Sequence, residues 1–309
     1  MAATADETLA DEARRRKAAG ATAISAGILT IVSGAVAAIV YSDKPTVPVL
    51  DALRERLQAG SPSPGLKVRQ ALFYDERAVQ IVLVSALLAL AALLMGLALA
   101  HLYRSTKARR KETPRAALVA AIAGGVLVAV AELALAVGIV VEVRALADAS
   151  QPTAEAAREA LAPPVAQAAV ILRQLGVFAL GVAFIVVALN AMRVGLLTRF
   201  MGVLGIIVGV LFIFPLGASL PILQAFWLVA IGALFLGAWP AGMPPAWAAG
   251  EARPWPSQQE LREERLRRKG EGGEQPPARR RAEPPETPAP AVPERPAHPS
   301  SKKRKRKRR

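Results

Sequence analysis

The sequence has no cysteine and only two histidines, His101 and His298. Without cysteine the chain forms no disulfide, has no thiol nucleophile and offers no thiolate to a metal. Two isolated histidines also exclude a histidine-rich metal site. No Walker loop, dinucleotide fingerprint, G-x-S-x-G or H-E-x-x-H motif occurs. The sequence therefore predicts a non-enzymatic protein with no catalytic residue, no metal site and no cofactor.

Hydrophobic residues make up 53% of the 309 residues, yet 20% are charged and the net charge is +15. Both values are high, so apolar and charged residues must be segregated along the chain. This composition is typical of a membrane domain with polar ends rather than of one soluble domain.

Six apolar runs approach the length of about 20 residues that a membrane helix needs. They predict an all-α fold, a six-span transmembrane helical bundle over residues 20–239, with spans at about 20–41, 78–101, 116–141, 165–192, 200–218 and 221–239.

The first run follows basic residues at 14–17, so a cleavable signal peptide is the alternative interpretation. Its apolar core exceeds the usual 7–15 residues, which favours a retained span. Small residues recur along it at spacings of three and four, which lets another helix approach closely: Gly20, Ala23, Gly27, Thr30, Gly34 and Ala37.

The connector 104–115 carries six Lys or Arg residues, and such loops stay in the cytoplasm. It therefore predicts a multi-pass protein of the cell (plasma) membrane with both termini inside. Residues 1–19 are then a cytoplasmic segment, while 42–77 and 142–165 are outer loops.

Within the outer loops, Pro48 and the following leucines suggest a short amphipathic helix, interpreted as resting on lipid headgroups rather than as a ligand lid. Residues 154–161 are predicted to be helical and to end at Pro163 and Pro164, and Pro164 suits the first turn of the next span.

Glu132 is the only charge in the third run, and a carboxylate inside a membrane needs a partner. Arg173 lies at a similar depth in the next span, and consecutive antiparallel helices are usually neighbours. Small residues share a face with each charge, so both are expected to point into the bundle. The sequence predicts a Glu132–Arg173 ion pair, with Gln174 and Asn190 as supporting polar residues.

The pair has two interpretations. In the first, it couples or gates the movement of a transported ion or proton; in the second, it only holds two helices together. The second is preferred, because one ion pair and one histidine are few groups for a proton-transfer pathway. His101 is likewise either a relay or a residue at the solvated end of its span.

Residues 240–309 hold most of the prolines and few long apolar residues, which predicts a disordered cytoplasmic tail. Trp247 and Trp255 are interpreted as interfacial anchors, with protein-partner binding at 244–256 as the alternative. Ser257 and Glu260 form a capping-box pattern that predicts a short helix over about 258–269.

The chain ends in eight consecutive cations that attract anionic lipids and, through phosphates, nucleic acid. Lipid contact or topology anchoring is preferred, since no interleaved aromatics support base-specific nucleic-acid readout; a nuclear signal is a third interpretation. The residues are Lys302, Lys303, Arg304, Lys305, Arg306, Lys307, Arg308 and Arg309.

Two segments carry a resemblance: NAMRVGLLTRFMGVLG at 190–205, and GMPPAW with GEARPWP within 242–256. They are similar to segments of uncharacterised actinobacterial six-helix integral membrane proteins. The resemblance implies location and architecture, and it implies no chemistry. The predicted function is a structural or partner-binding membrane protein with a polybasic cytoplasmic tail; the alternative is a small transporter or channel subunit that uses the Glu–Arg pair.

Overall fold

The computed structural model describes residues 4–46, 66–148, 153–214, 221–240 and 242–255, with five further residues at 260, 262, 263, 266 and 267. The chain divides into two units, residues 1–255 and 256–309. In the described part all regular structure is helical, with no strand. The predicted all-α class is confirmed for these residues.

The first four helices are α1 (Ala5–Val40), α2 (Leu66–Glu76), α3 (Ala78–Arg109) and α4 (Arg115–Ala147). A capping box starts α1, in which the Thr4 hydroxyl accepts from Glu7 N and Glu7 Oε2 accepts from Thr4 N at 2.8 Å. The helix therefore begins 15 residues before the predicted span, and it runs unbroken into the membrane segment.

The remaining described helices are α5 (Ala154–Leu161), α6 (Pro164–Arg193), α7 (Arg199–Ile213), α8 (Pro221–Leu236) and α9 (Pro245–Ala249). The bounds of α5 and the start of α6 agree with the sequence, because Pro163 ends one helix and Pro164 occupies the first turn of the next. The short α2 lies in the predicted outer loop and was not anticipated.

Four helical segments are long and apolar enough to cross a membrane: α1, α3, α4 and the stretch from Glu155 to Arg193 that contains α6. Helices α7 and α8 have 15 and 16 residues, which gives lengths of roughly 22 and 24 Å. Both are shorter than a hydrocarbon core of about 30 Å. They are also shorter than the predicted fifth and sixth spans; residues 215–220 lie outside the described part.

The long helices pack as antiparallel neighbours, α3 with α4 and α4 with α6, while α1 lies between α3 and α8 and α7 packs on α6. One end of the bundle contains the start of α1, the end of α3 and residues 242–255; it is called the N-terminal end below. The opposite end contains the end of α1 with the end of α2 and the start of α3.

Small residues lie inside the bundle and large apolar residues lie outside it. On α4 the buried face includes Ala117, Ala121, Gly124 and Gly125. The exposed face carries large side chains at spacings of three or four: Val119, Ile122, Val126, Val130, Leu133, Val137 and Val141. This distribution is the one expected where the surrounding solvent is lipid and helices associate through close backbone approach.

The small-residue face of α1 receives α8, as the spacing predicts. A Cβ built on Gly27 would lie 2.8 Å from Ala225 O, and one on Gly20 would overlap Leu236. Trp227 of α8 then fills the centre, where its Nε1 donates to Met201 O at 2.9 Å and its ring meets Phe184 edge-on. One buried residue thus ties α8 to both α6 and α7.

Two predictions fall outside the described residues: the helix beginning at Pro48 and the contacts of the eight terminal cations. Of the helix predicted at 258–269, the described residues are helical.

Candidate functional site

Glu132 and Arg173 face each other across α4 and α6, with Arg173 Nη1 3.2 Å from Glu132 Oε1. On the side of the pair that faces the N-terminal end of the bundle, the two helices approach closely, since a Cβ on Gly124 would lie 2.9 Å from Gly176 O. Glycine at these positions therefore sets the helix separation at which an arginine reaches the carboxylate.

The two members of the pair are not equally buried. The Glu132 side chain is 11% exposed, whereas that of Arg173 is 48% exposed. The expectation that both charges point into the bundle is thus met by Glu132 and not by Arg173. Arg173 lies between the buried Ala169 and Gly176 along α6, but its long side chain reaches the outer surface of the bundle.

The structure does not bring Gln174 and Asn190 to the pair. Gln174 is exposed on α6. Asn190 is buried 17 residues further along the helix, roughly 26 Å away, and its Nδ2 donates to Val186 O at 2.8 Å. Gln174 and Asn190 were predicted because they lie in the same span as Arg173, and Asn190 also because it was assigned to the same helix face. Neither criterion places a residue at the same depth as the pair.

Other buried polar side chains near the helix axes are satisfied by their own helix. Thr30 donates to Ala26 O at 2.7 Å, and Thr106 donates to Leu102 O at 2.7 Å. His101 packs edge-on against Phe235, with ring centroids 4.7 Å apart, so it is a packed residue rather than a solvated end residue.

The most enclosed charge in the described part of the chain belongs to Arg109, whose side chain is 0% exposed. Its Nη2 donates to Glu12 Oε2 at 3.0 Å and to Ala246 O at 2.9 Å, and its Nη1 donates to Ser105 O at 3.0 Å. Its guanidinium also lies 5.5 Å from the centroid of Trp247. Three separate segments therefore meet on one side chain.

Sequence reasoning placed Arg109 among six loop cations and missed this role. Nothing local distinguishes it from Arg104 or Arg110. The available signal was indirect, an acidic residue in the basic N-terminal segment and a tryptophan after the last span.

Residues 242–255 differ from the predicted disordered tail, because they fold onto the N-terminal end of the bundle. Trp247 Nε1 donates to Leu196 O and Trp255 Nε1 donates to Leu197 O, each at 2.8 Å. Arg253 N donates to Val194 O at 3.0 Å. Both indole N–H groups are thus bound within the chain, while both rings stay partly exposed. The first unit ends at Trp255 rather than at residue 240.

This docking depends on Gly195, whose φ of 81° lies in the left-handed region. A Cβ at this position would collide with Arg253 O. Glycine therefore permits both the turn after α6 and the approach of the returning chain.

An open groove of about 360 Å³ lies beside this docked segment, and its lining residues are Met192, Arg193, Arg199, Val203, Pro254 and Trp255. In the described part of the chain, no group of three or more His, Asp or Glu residues is arranged to hold a metal ion.

Comparison of the chain with protein families, with curated proteins and with solved structures finds no match.

Proposed function

We propose that the protein is a non-enzymatic, multi-pass protein of the cell membrane that presents a basic C-terminal segment at the cytoplasmic face. In this proposal α7 and α8 are the fifth and sixth spans, and both chain ends lie in the cytoplasm. Its role is structural or partner-binding, and the eight terminal cations contact anionic lipids or an acidic partner.

The observation that carries this proposal is the docking of residues 242–255. Trp255 is held against Leu197 at the end of the bundle where α1 begins and where the basic connector 104–115 lies. The positive-inside rule assigns that end to the cytoplasm. Whatever follows Trp255 in the chain therefore starts from a fixed point at that face.

The test uses the full chain in phosphatidylcholine vesicles, oriented with the N-terminal end outwards, and measures capture of separate fluorescent phosphatidylglycerol vesicles. The matched variant replaces all eight cations at 302–309 by glutamine. We expect capture by the unmodified chain, loss in the variant and loss at high salt, because exposed charge interactions are screened. A chain that captures neither anionic vesicles nor any protein cross-linked in native membranes would overturn the proposal.

The Glu132–Arg173 contact favours a second candidate, a small transporter or channel subunit. A buried carboxylate beside a half-exposed arginine is able to exchange its partner for an ion. Ion and proton flux into vesicles separates the two functions, with Glu132→Gln as the variant. Loss of flux in Glu132→Gln, with an equally stable fold, would support the transporter function. Absence of flux in the unmodified chain would exclude it.

A further inference from the structure

The groove between α6 and α7 carries a charge arrangement that the proposed function does not use. Arg193 ends α6 and Arg199 begins α7, so the two cations stand on either side of the five-residue connection between the helices. Both are exposed, and both line the groove.

The backbone that carries these two arginines is held in place by hydrogen bonds. The connection is held by the Arg253 N to Val194 O bond, and Thr198 caps α7 by accepting from Met201 N at 3.2 Å. Trp255 forms part of the groove wall and is held by its bond to Leu197 O. A ligand would therefore meet a groove that is largely pre-formed, which lowers the entropy cost of binding.

The chemistry of the groove suits a phosphate. A guanidinium has five N–H donors in a planar fork that matches phosphate oxygens. Arg199 has other contacts within the protein, but this number of donors allows it to serve a phosphate oxygen as well. Basic pockets between membrane helices at the cytoplasmic side are a common form of lipid headgroup site.

An apolar track leads away from the groove along α7. Its members are exposed and recur at spacings of three or four, which places them on one helix face: Phe200, Val203, Ile207 and Val210. Val203 belongs both to the groove and to this track. A soluble phosphate makes no apolar contacts with such a track, whereas the acyl chain of a lipid can lie along it.

We propose that the groove binds the headgroup of an anionic phospholipid, with Arg193 and Arg199 on the phosphodiester and an acyl chain along the exposed face of α7. The site is separate from the basic run at 302–309. It would make the protein selective for anionic lipid at one defined place on the bundle.

The test is fluorescence quenching of the full chain in membranes that contain a small fraction of lipid brominated near the headgroup. The four tryptophans of the chain are Trp227, Trp239, Trp247 and Trp255, so residues 256–309 contribute no signal. Subtracting the quenching of a Trp255→Phe variant isolates the residue in the groove. We expect brominated phosphatidylglycerol to quench Trp255 more strongly than brominated phosphatidylcholine of the same chains.

The decisive variants are Arg193→Gln, Arg199→Gln and their combination. Each removed cation should lower the selectivity for phosphatidylglycerol by about five-fold. The double lysine variant should retain much of the selectivity, because it keeps the charge and loses only the planar fork. The matched control is Arg104→Gln with Arg115→Gln, which removes the same charge from exposed residues at the same end of the bundle.

Equal losses in the groove variant and the control would overturn the proposal in favour of general charge attraction. An unmodified chain without phosphatidylglycerol selectivity would overturn it as well. If inorganic phosphate or glycerol phosphate abolishes the selective quenching of Trp255, the ligand is a soluble phosphate and the proposal of a lipid ligand is wrong. Where the double glutamine variant fails to fold, the single variants and the lysine variant decide the same question.

Discussion

Arg109 Nη2 lies 3.0 Å from Glu12 Oε2, and this pair joins the first turns of α1 to the last turn of α3. The arginine is wholly enclosed and the glutamate side chain is 13% exposed. Since Arg109 also binds Ala246 O, the pair fixes the returning segment 242–255 to the bundle.

We expect Arg109→Gln to lower the free energy of unfolding by about 3–5 kcal/mol, because it strands a largely buried carboxylate. The matched control is Arg110→Gln, since Arg110 is 33% exposed and its partner Glu112 is 81% exposed. An exposed pair of this kind contributes about 0–1 kcal/mol. Chemical unfolding in detergent, followed by tryptophan fluorescence, measures both; equal losses would contradict the assignment.

The Glu132–Arg173 pair should respond asymmetrically to substitution. Arg173→Gln leaves the buried Glu132 without its charge partner and should cost about 1–3 kcal/mol. Glu132→Gln should cost less, because the long, half-exposed Arg173 side chain can extend along the helix towards the membrane–water interface. The double variant should be more stable than Arg173→Gln alone, and a double-mutant cycle gives the coupling. A larger loss for Glu132→Gln would mean that the arginine is the stranded charge.

Close packing of α3 on α4 should fail when a methyl group is added at Gly96. A Cβ there would lie 2.5 Å from Ala121 O, which belongs to the backbone and cannot move aside cheaply. We expect Gly96→Ala to cost about 1–3 kcal/mol through overpacking. Leu97→Ala is the neighbouring control, because Leu97 is exposed and faces outwards. Thermal unfolding of both variants in one detergent compares them directly.

The Asp43–Arg77 contact at the opposite end of the bundle should be visible in a pH titration. The pKa of Asp43 lies below its ordinary value of 3.8. The main cause is a hydrogen bond from Arg77 at 2.7 Å, and a hydrogen bond from Ser42 has a smaller effect in the same direction. The stabilisation is therefore fully present above pH 3.8 and is lost as the pH falls through the lower, folded-state pKa. Carboxyl NMR of Asp43 should show a midpoint below 3.8 that returns upwards in Arg77→Gln. An unchanged Asp43 midpoint in Arg77→Gln would contradict the assignment of the lowered pKa to the Arg77 hydrogen bond.

The six-span arrangement can be tested cleanly because the chain has no cysteine, so each introduced thiol is unique. Ser42→Cys and Ser219→Cys should react with an impermeant reagent added from outside the cell, whereas Lys111→Cys should react only after the membrane is opened. The residue at 219 is the informative one, because α7 and α8 are short. If the thiol at 42 reacts and the thiol at 219 does not, the chain has four spans, and α7 and α8 form a hairpin that does not cross the membrane.

The four long helices were predictable because hydropathy and length are local properties of the chain. The start of α6 was predictable for the same reason, since Pro163 and Pro164 constrain only their immediate neighbours. Helices α7 and α8 were predicted too long, because apolar residues such as Phe214 continue past the point where the helix ends.

The site was less predictable, and Arg109 shows why. Its partner Glu12 is 97 residues away in the chain and Ala246 is 137 residues away. No local pattern encodes such contacts. The height of Arg173 could be estimated from the helical rise, but its exposure depends on how far α4 and α6 separate around it.

The indole bond from Trp255 to Leu197 has a mechanical consequence. A pull on the chain after residue 255 is delivered first to the turn between α6 and α7, rather than being taken up by slack after α8. The Arg253 amide and the Trp247 indole make further bonds to the same turn, to Val194 O and Leu196 O. Tension from anything attached to the C-terminal segment therefore reaches the two helices that border the groove.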